Sequence, residues 1–199
     1  MCSSATSFHA LRKGRLCPGE TVAVFGAGGL GLSAVQLARA MGAAVVYAVD
    51  IHPRKLHLAQ RLGAVSVDAS QHDPVAAIRR LTGGQGVDVS LELVGLPLTM
   101  RQAFQALGPL GRAVLVGITP EAFSIAPYNE LINRETEVIG ASDHLASEIP
   151  ALLEMARRGA LDLSLVVTRE LPLEAHAINE ALDALEGFGG DARTVIVPA

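Results

Sequence analysis

Between Thr21 and Gly140, short β-branched apolar runs alternate with longer stretches whose apolar residues recur at spacings of three and four. Apolar runs of this kind fit strands covered on both faces, and the three-and-four spacing fits helices laid against them. The pattern predicts strands over 21–25, 44–49, 65–67, 87–93, 113–117 and 138–139, with helices over 30–41, 53–62, 74–81 and 99–107 between them. Pro53 and Pro74 fall in first helical turns, where a missing N–H costs little. Gly42, Gly63, Gly83 and Gly108 fall where each helix should end in a left-handed cap. The expected architecture is α/β: a six-stranded, doubly wound parallel sheet of Rossmann type with helices on both faces. After Ser142 the rhythm changes to a helix over 149–158, a strand over 166–171, a helix over 173–186 and a strand over 194–197. A unit this small is marginal on its own, so the tail should pack on something else.

The first predicted strand runs directly into Gly26-Ala27-Gly28-Gly29-Leu30-Gly31 and then into a helix. This is G-x-G-x-x-G in the strand–turn–helix setting of a dinucleotide site. Gly26 permits the tight turn, Gly28 lets backbone approach a pyrophosphate, and Gly31 lets the helix lie close on the sheet. The helix N-terminus then offers free N–H groups and a positive dipole end to the diphosphate. The second strand ends at Asp50, 19 residues beyond Gly31. A carboxylate at that spacing bonds ribose hydroxyls and repels a 2′-phosphate, which predicts NAD over NADP. Lys55 is assigned to the ribose, and Arg54 to solvent or to a rival 2′-phosphate.

The bulk properties exclude several classes. A net charge of −4 with basic residues spread singly or in pairs offers no footprint for nucleic acid or an anionic membrane. The longest uncharged run, from Thr21, is interrupted by glycine and polar residues, which excludes a membrane span. Two cysteines, Cys2 and Cys17, are too few for a disulfide scaffold or a four-cysteine zinc site, which points to a cytoplasmic protein. His9 lies two helical turns from Cys2, too far to share a metal ion with it. His52, His57, His72, His144 and His176 fall on predicted loops or exposed helix faces and are expected to be solvated.

Taken in order, 18–31, Arg61-Leu62-Gly63-Ala64, Gly84-Gln85-Gly86-Val87-Asp88-Val89, Glu92-Leu93-Val94-Gly95, 110–117, Gly140-Ala141-Ser142 and Ala192-Arg193-Thr194-Val195 resemble the medium-chain, zinc-dependent alcohol dehydrogenase family, specifically its cofactor-binding half. The resemblance implies that Val94, Gly95, Val116 and Ile118 flank the nicotinamide and its ribose, that Gly29 and Leu30 belong to the phosphate turn, and that Arg193 faces the pyrophosphate. It also implies that Cys2 is the last ligand of a catalytic zinc and that Thr6 lies near the nicotinamide. The remaining zinc ligands and most of the substrate pocket would come from an N-terminal catalytic domain preceding this chain. The implied layout is an interdomain helix over 1–17, the NAD-binding domain over 18–142, and a segment over 143–199 that returns to the catalytic domain. The implied activity is hydride transfer between an alcohol and NAD, with the chain inactive alone and paired into a homodimer through the edge of its sheet. Two other readings stand beside it: a zinc-independent, NADPH-using quinone or enone reductase of the same superfamily, and a non-catalytic NAD-binding module.

Overall fold

A computed structural model of the chain describes residues 2–186 and 192–198. Helix α1 (Cys2–Lys13) leads into β1 (Thr21–Phe25), α2 (Gly29–Ala40), β2 (Val45–Asp50), α3 (Pro53–Arg61), β3 (Val65–Asp68), α4 (Pro74–Leu81), β4 (Val87–Glu92), α5 (Pro97–Gln105) and β5 (Leu107–Leu115). A π-helical turn (Pro127–Ile132), β6 (Glu137–Gly140) and a 3-10 turn (Ala146–Glu148) follow, then α6 (Ile149–Arg157), β7 (Arg169–Pro172), α7 (Ala175–Glu186) and β8 (Thr194–Val197).

Six strands form one parallel sheet in the order β3-β2-β1-β4-β5-β6, the doubly wound Rossmann order. Strand side chains alternate between two cores, as the pleat requires. Val22, Val24, Val46, Ala48, Val89 and Leu91 face α1, α2 and α6. Ala23, Phe25, Tyr47 and Val49 face the side that carries Ala77 and Ile78 of α4 and Phe104 of α5, and Val87 joins them across the irregularity between Val87 and Val89. The order reverses between β1 and β4, so a crevice opens at the carboxyl ends of those strands, where ligands of such sheets bind.

Gly42, Gly63 and Gly83 adopt left-handed backbone after their helices, as expected. The fifth strand departs from expectation. It begins at Leu107 immediately after α5 ends at Gln105, so Gly108 is a strand residue and not a helix cap. The left-handed Gly86 turns the chain so that Val87 N–H donates to Ala106 O at 3.0 Å, which starts the β4–β5 ladder early. The register then shifts between Val87 and Val89, and Leu110 takes a positive φ of 60° to absorb the irregularity.

The tail divides in two. Leu152, Leu161 and Val166 are buried in the core under α1 and α2. Beyond them β7 and β8 pair in parallel as a separate two-stranded sheet beside α7. The tail strand therefore starts at Arg169 and its helix at Ala175, later than the apolar pattern suggests.

Candidate functional site

The glycine turn after β1 is built by close approach. Gly26 has φ 96°, and a Cβ there would lie 2.8 Å from Val94 Cγ2. A methyl on Gly31 would overlap the Gly26 carbonyl oxygen, so only glycine lets α2 sit this near the turn. Gly28 caps α2 and has no atom within 4 Å of where a Cβ would be, which leaves space directly over the helix N-terminus. No acidic side chain occupies the first turn of α2, and its leading N–H groups lack helical partners. On the other side, Arg193 crosses the turn: a Cβ on Gly29 would lie 3.0 Å from its Nε and 3.1 Å from its Nη2. That Nε is buried with no hydrogen-bond partner among the described residues. An unmet guanidinium donor beside a helix N-terminus and an open cradle suits a phosphate group.

Asp50 closes β2 at the same end of the sheet. Its Oδ2 accepts from Ala27 N–H at 2.7 Å and its Oδ1 from His52 N–H at 2.9 Å, which fixes the carboxylate against the glycine turn. A carboxylate has about four acceptor sites, so acceptor capacity is left for a ligand. Gly26, Gly28, Asp50, Lys55 and Val94 share one cavity of about 430 Å³. His52 also lines it, with a buried Nε2 that has no partner among the described residues. His52 is thus half-buried in the crevice and not solvated, and its backbone N–H is held by Asp50 at the same place.

At the far side of the crevice the turn after β4 backs onto the end of β5. Gly95 has φ 88°, and a Cβ there would lie 2.6 Å from Ile118 O. Val116 is half-buried, whereas Ile118 is 94% exposed. Beneath this contact lies Glu92, a fully buried carboxylate to which the sequence alone assigns no role although it opens the segment Glu92-Leu93-Val94-Gly95. Its Oε1 accepts from Val94 N–H, Gly95 N–H and Thr99 Oγ1 at 3.0, 2.9 and 2.6 Å, while its Oε2 has no partner among the described residues. Its backbone carbonyl accepts from Val116 and Gly117 N–H at 2.9 and 3.1 Å. One residue therefore pins both loops.

Helix α1 is tied to the glycine turn by Ser7 Oγ, which donates to Leu30 O at 2.8 Å, and by Ser4 Oγ, which pairs with Ser33 Oγ at 3.0 Å. Thr6 is buried, its hydroxyl 3.9 Å from Cys2 Sγ, and does not line the cavity. His9 Nδ1 sits 3.1 Å from both oxygens of Glu148, and Arg12 Nη1 donates to the same carboxylate at 3.1 Å. Burial pushes the Glu148 carboxyl up, but hydrogen bonds from His9 and Leu145 N–H and the charges of His9 and Arg12 together hold it below the usual carboxylate range.

Cys2 opens α1 with an exposed thiol. The chain after β6 returns to it: Cys2 Sγ lies 3.9 Å from Asp143 Oδ1, and His144 Nδ1 lies 2.5 Å from that same oxygen. His144 is accordingly not a free solvated side chain. Its side chain is 25% exposed and paired with Asp143, an encounter across 141 residues of sequence that local spacing does not report. An exposed thiol with a carboxylate and an imidazole at hand is the donor chemistry zinc takes.

A family model for zinc-binding dehydrogenases matches residues 29–158. The chain is 36% identical to the (R,R)-butanediol dehydrogenase of Bacillus subtilis over 92% of its length and 52% of that protein's. It is also 36% identical to a NAD-dependent alcohol dehydrogenase of Sulfurisphaera tokodaii, over 99% of this chain and 56% of the relative. Among solved structures, the alcohol dehydrogenase TADH of Thermus sp. ATN1 superposes with a TM-score of 0.89 at 30% identity, over 99% of this chain and 56% of that one. The chain spans about half the length of the curated relatives it matches. On its sequence and on its fold, it belongs to the zinc-binding dehydrogenase family.

Proposed function

We propose that this chain is the NAD-binding portion of a zinc-type alcohol or polyol dehydrogenase that transfers hydride between an alcohol and NAD. The observation that carries the reading is Asp50, held by two backbone N–H groups at the edge of the cavity that Gly26 and Gly28 open. There its charge accepts ribose hydroxyls and repels a 2′-phosphate. Gly28, Gly29, Leu30 and Gly31 present the N-terminus of α2 to the pyrophosphate, with Arg193 across it and Lys55 toward the ribose. Val94 and Gly95, opposite Val116 and Ile118, form the walls for the nicotinamide, and Glu92 holds those walls in register. Thr6, beside Cys2 on α1, lies near the nicotinamide. When bound, NAD supplies the hydride acceptor, and zinc supplies a Lewis acid at the alcohol oxygen. Cys2 is one thiolate ligand of that zinc.

The layout that goes with this reading is a linking helix over 1–17, the NAD-binding domain over 18–142 and a segment over 143–199 whose first part seats Leu152, Leu161 and Val166 in the NAD-binding core and whose β7–α7–β8 unit returns to a catalytic domain of the whole enzyme. The exposed edge strand β6 suits pairing with a second copy across a two-fold axis. No helix among the described residues is long and apolar enough to cross a membrane. Two free, exposed thiols suit the reducing cytoplasm.

The test is Asp50→Ala. A hydrogen bond to a charged group contributes about 1.5–3 kcal/mol, so NAD affinity should fall about 10- to 100-fold while NADP affinity holds or rises. Equal losses for both nucleotides would reject the role given to Asp50.

A further inference from the structure

The loop after β6 folds back on α1 through Asp143, a residue other than glycine in the left-handed region at φ 53°. One ligand atom from each of Cys2, Asp143 and His144 lies within 4.8 Å of the other two, and no other triad of metal-ligating side chains is this close among the described residues. We propose that Cys2, Asp143 and His144 together hold a divalent cation of the zinc class, so that this chain brings three metal ligands of its own. The proposal rests on the dehydrogenase reading only for the role of Cys2; Asp143 and His144 are the new members.

The donor set selects the metal. Thiolate, imidazole and carboxylate in one site suit zinc and its borderline neighbours, whereas calcium and magnesium take all-oxygen sites. In a tetrahedral zinc site, bonds of about 2.3 Å to sulfur and about 2.0–2.2 Å to nitrogen or oxygen put donor atoms roughly 3.3–3.7 Å apart. The 3.9 Å between Cys2 Sγ and Asp143 Oδ1 is within a few tenths of that. Cys2 is exposed and Asp143 66% exposed, which leaves room for both side chains to turn toward a metal. Asp143 Oδ1 and His144 Nδ1, 2.5 Å apart, stand closer than two ligands of one metal do, so binding displaces the hydrogen between them and parts the two atoms by about 1 Å. Three protein ligands on an exposed surface leave a fourth position open, the arrangement of catalytic and not of structural zinc.

Titration of the chain with Co(II), a spectroscopic stand-in for zinc, tests this. The expected result is a thiolate-to-cobalt charge-transfer band that saturates at one equivalent, is lost in Cys2→Ser, and needs about tenfold more metal in Asp143→Asn and in His144→Ala. The absence of a band in the unaltered chain would overturn the proposal. So would a band of unchanged intensity and affinity in the double variant Asp143→Asn/His144→Ala, which would assign the metal to Cys2 without them. Circular dichroism melting of each variant checks that these exposed substitutions leave the fold intact. Calorimetry with NAD on the unaltered chain stands apart: failure to bind NAD rejects the dehydrogenase reading whatever cobalt does, and loss of the cobalt band alone rejects only the metal triad.

Discussion

The six-stranded sheet and the β7–α7–β8 unit are made from the same apolar, β-branched vocabulary and end in opposite situations. Val22 and Val24 of β1 are fully buried, because helices cover both faces of the sheet. Val195, Ile196 and Val197 of β8 are 37–44% exposed, and Leu182 and Leu185 of α7 are 55% and 61% exposed. A groove lined by Leu171, Ile178, Leu182, Leu185 and Ile196 opens between these elements. An apolar pattern thus reports that a segment is built to be covered, and in the tail no element among the described residues supplies the cover. The unit still reaches the glycine turn, since Arg193, just before β8, is the side chain that crosses Gly29.

The sharpest contrast comes from truncating one side chain in each region. Phe104 is 1% exposed between α5 and the sheet. Phe104→Ala should cost about 3–5 kcal/mol in denaturant unfolding, the usual range for an aromatic side chain deleted from a packed core. A loss under about 1 kcal/mol would mean that the sheet is not the rigid body that positions the crevice.

Next in size is Arg193→Ala. Loss of one charge-assisted contact to pyrophosphate should weaken NAD binding about tenfold, or ~1.4 kcal/mol, with unfolding stability almost unchanged. Undiminished NAD affinity would detach the tail from the nucleotide site and leave Arg193 as a tether between the tail and α2.

The smallest effect is expected from the pair Leu182→Ser/Leu185→Ser. Exposed positions change stability by about 0.5 kcal/mol or less, while light scattering at high concentration should fall as the groove loses its apolar lip. A large destabilisation would show that α7 is already covered.

How far these features can be read from the sequence depends on the reach of the interaction behind each. The phosphate turn is legible because its requirements are local: Gly26 needs a positive φ and Gly31 needs to lack a Cβ, and only one residue type satisfies either. Asp50 is legible because strand and helix lengths fix its distance from the turn. The start of β5 is not, since Leu107 becomes a strand residue only when the Gly86 turn brings Val87 N–H to Ala106 O. Glu92 reads as the polar end of an apolar strand, and its role emerges only when Val94, Gly95, Thr99 and Gly117 fold around it. Asp143 and His144 meet Cys2 through the full turn of the chain around the sheet, a proximity invisible to any periodicity. His52 reads as a solvated loop residue, and its place in the crevice depends on the β2–α3 turn that the chain makes only when Asp50 meets the glycine turn.

The central claim is that the crevice between β1, β2 and β4 is a dinucleotide site whose selectivity resides in Asp50. Parallel calorimetric titrations of the unaltered chain with NAD and with NADP test it most directly. One NAD per chain is expected, bound at least about tenfold more tightly than NADP, since an unscreened carboxylate at the ribose disfavours an added phosphate by about 1.4 kcal/mol or more. Equal affinities, or tighter binding of NADP, would contradict it.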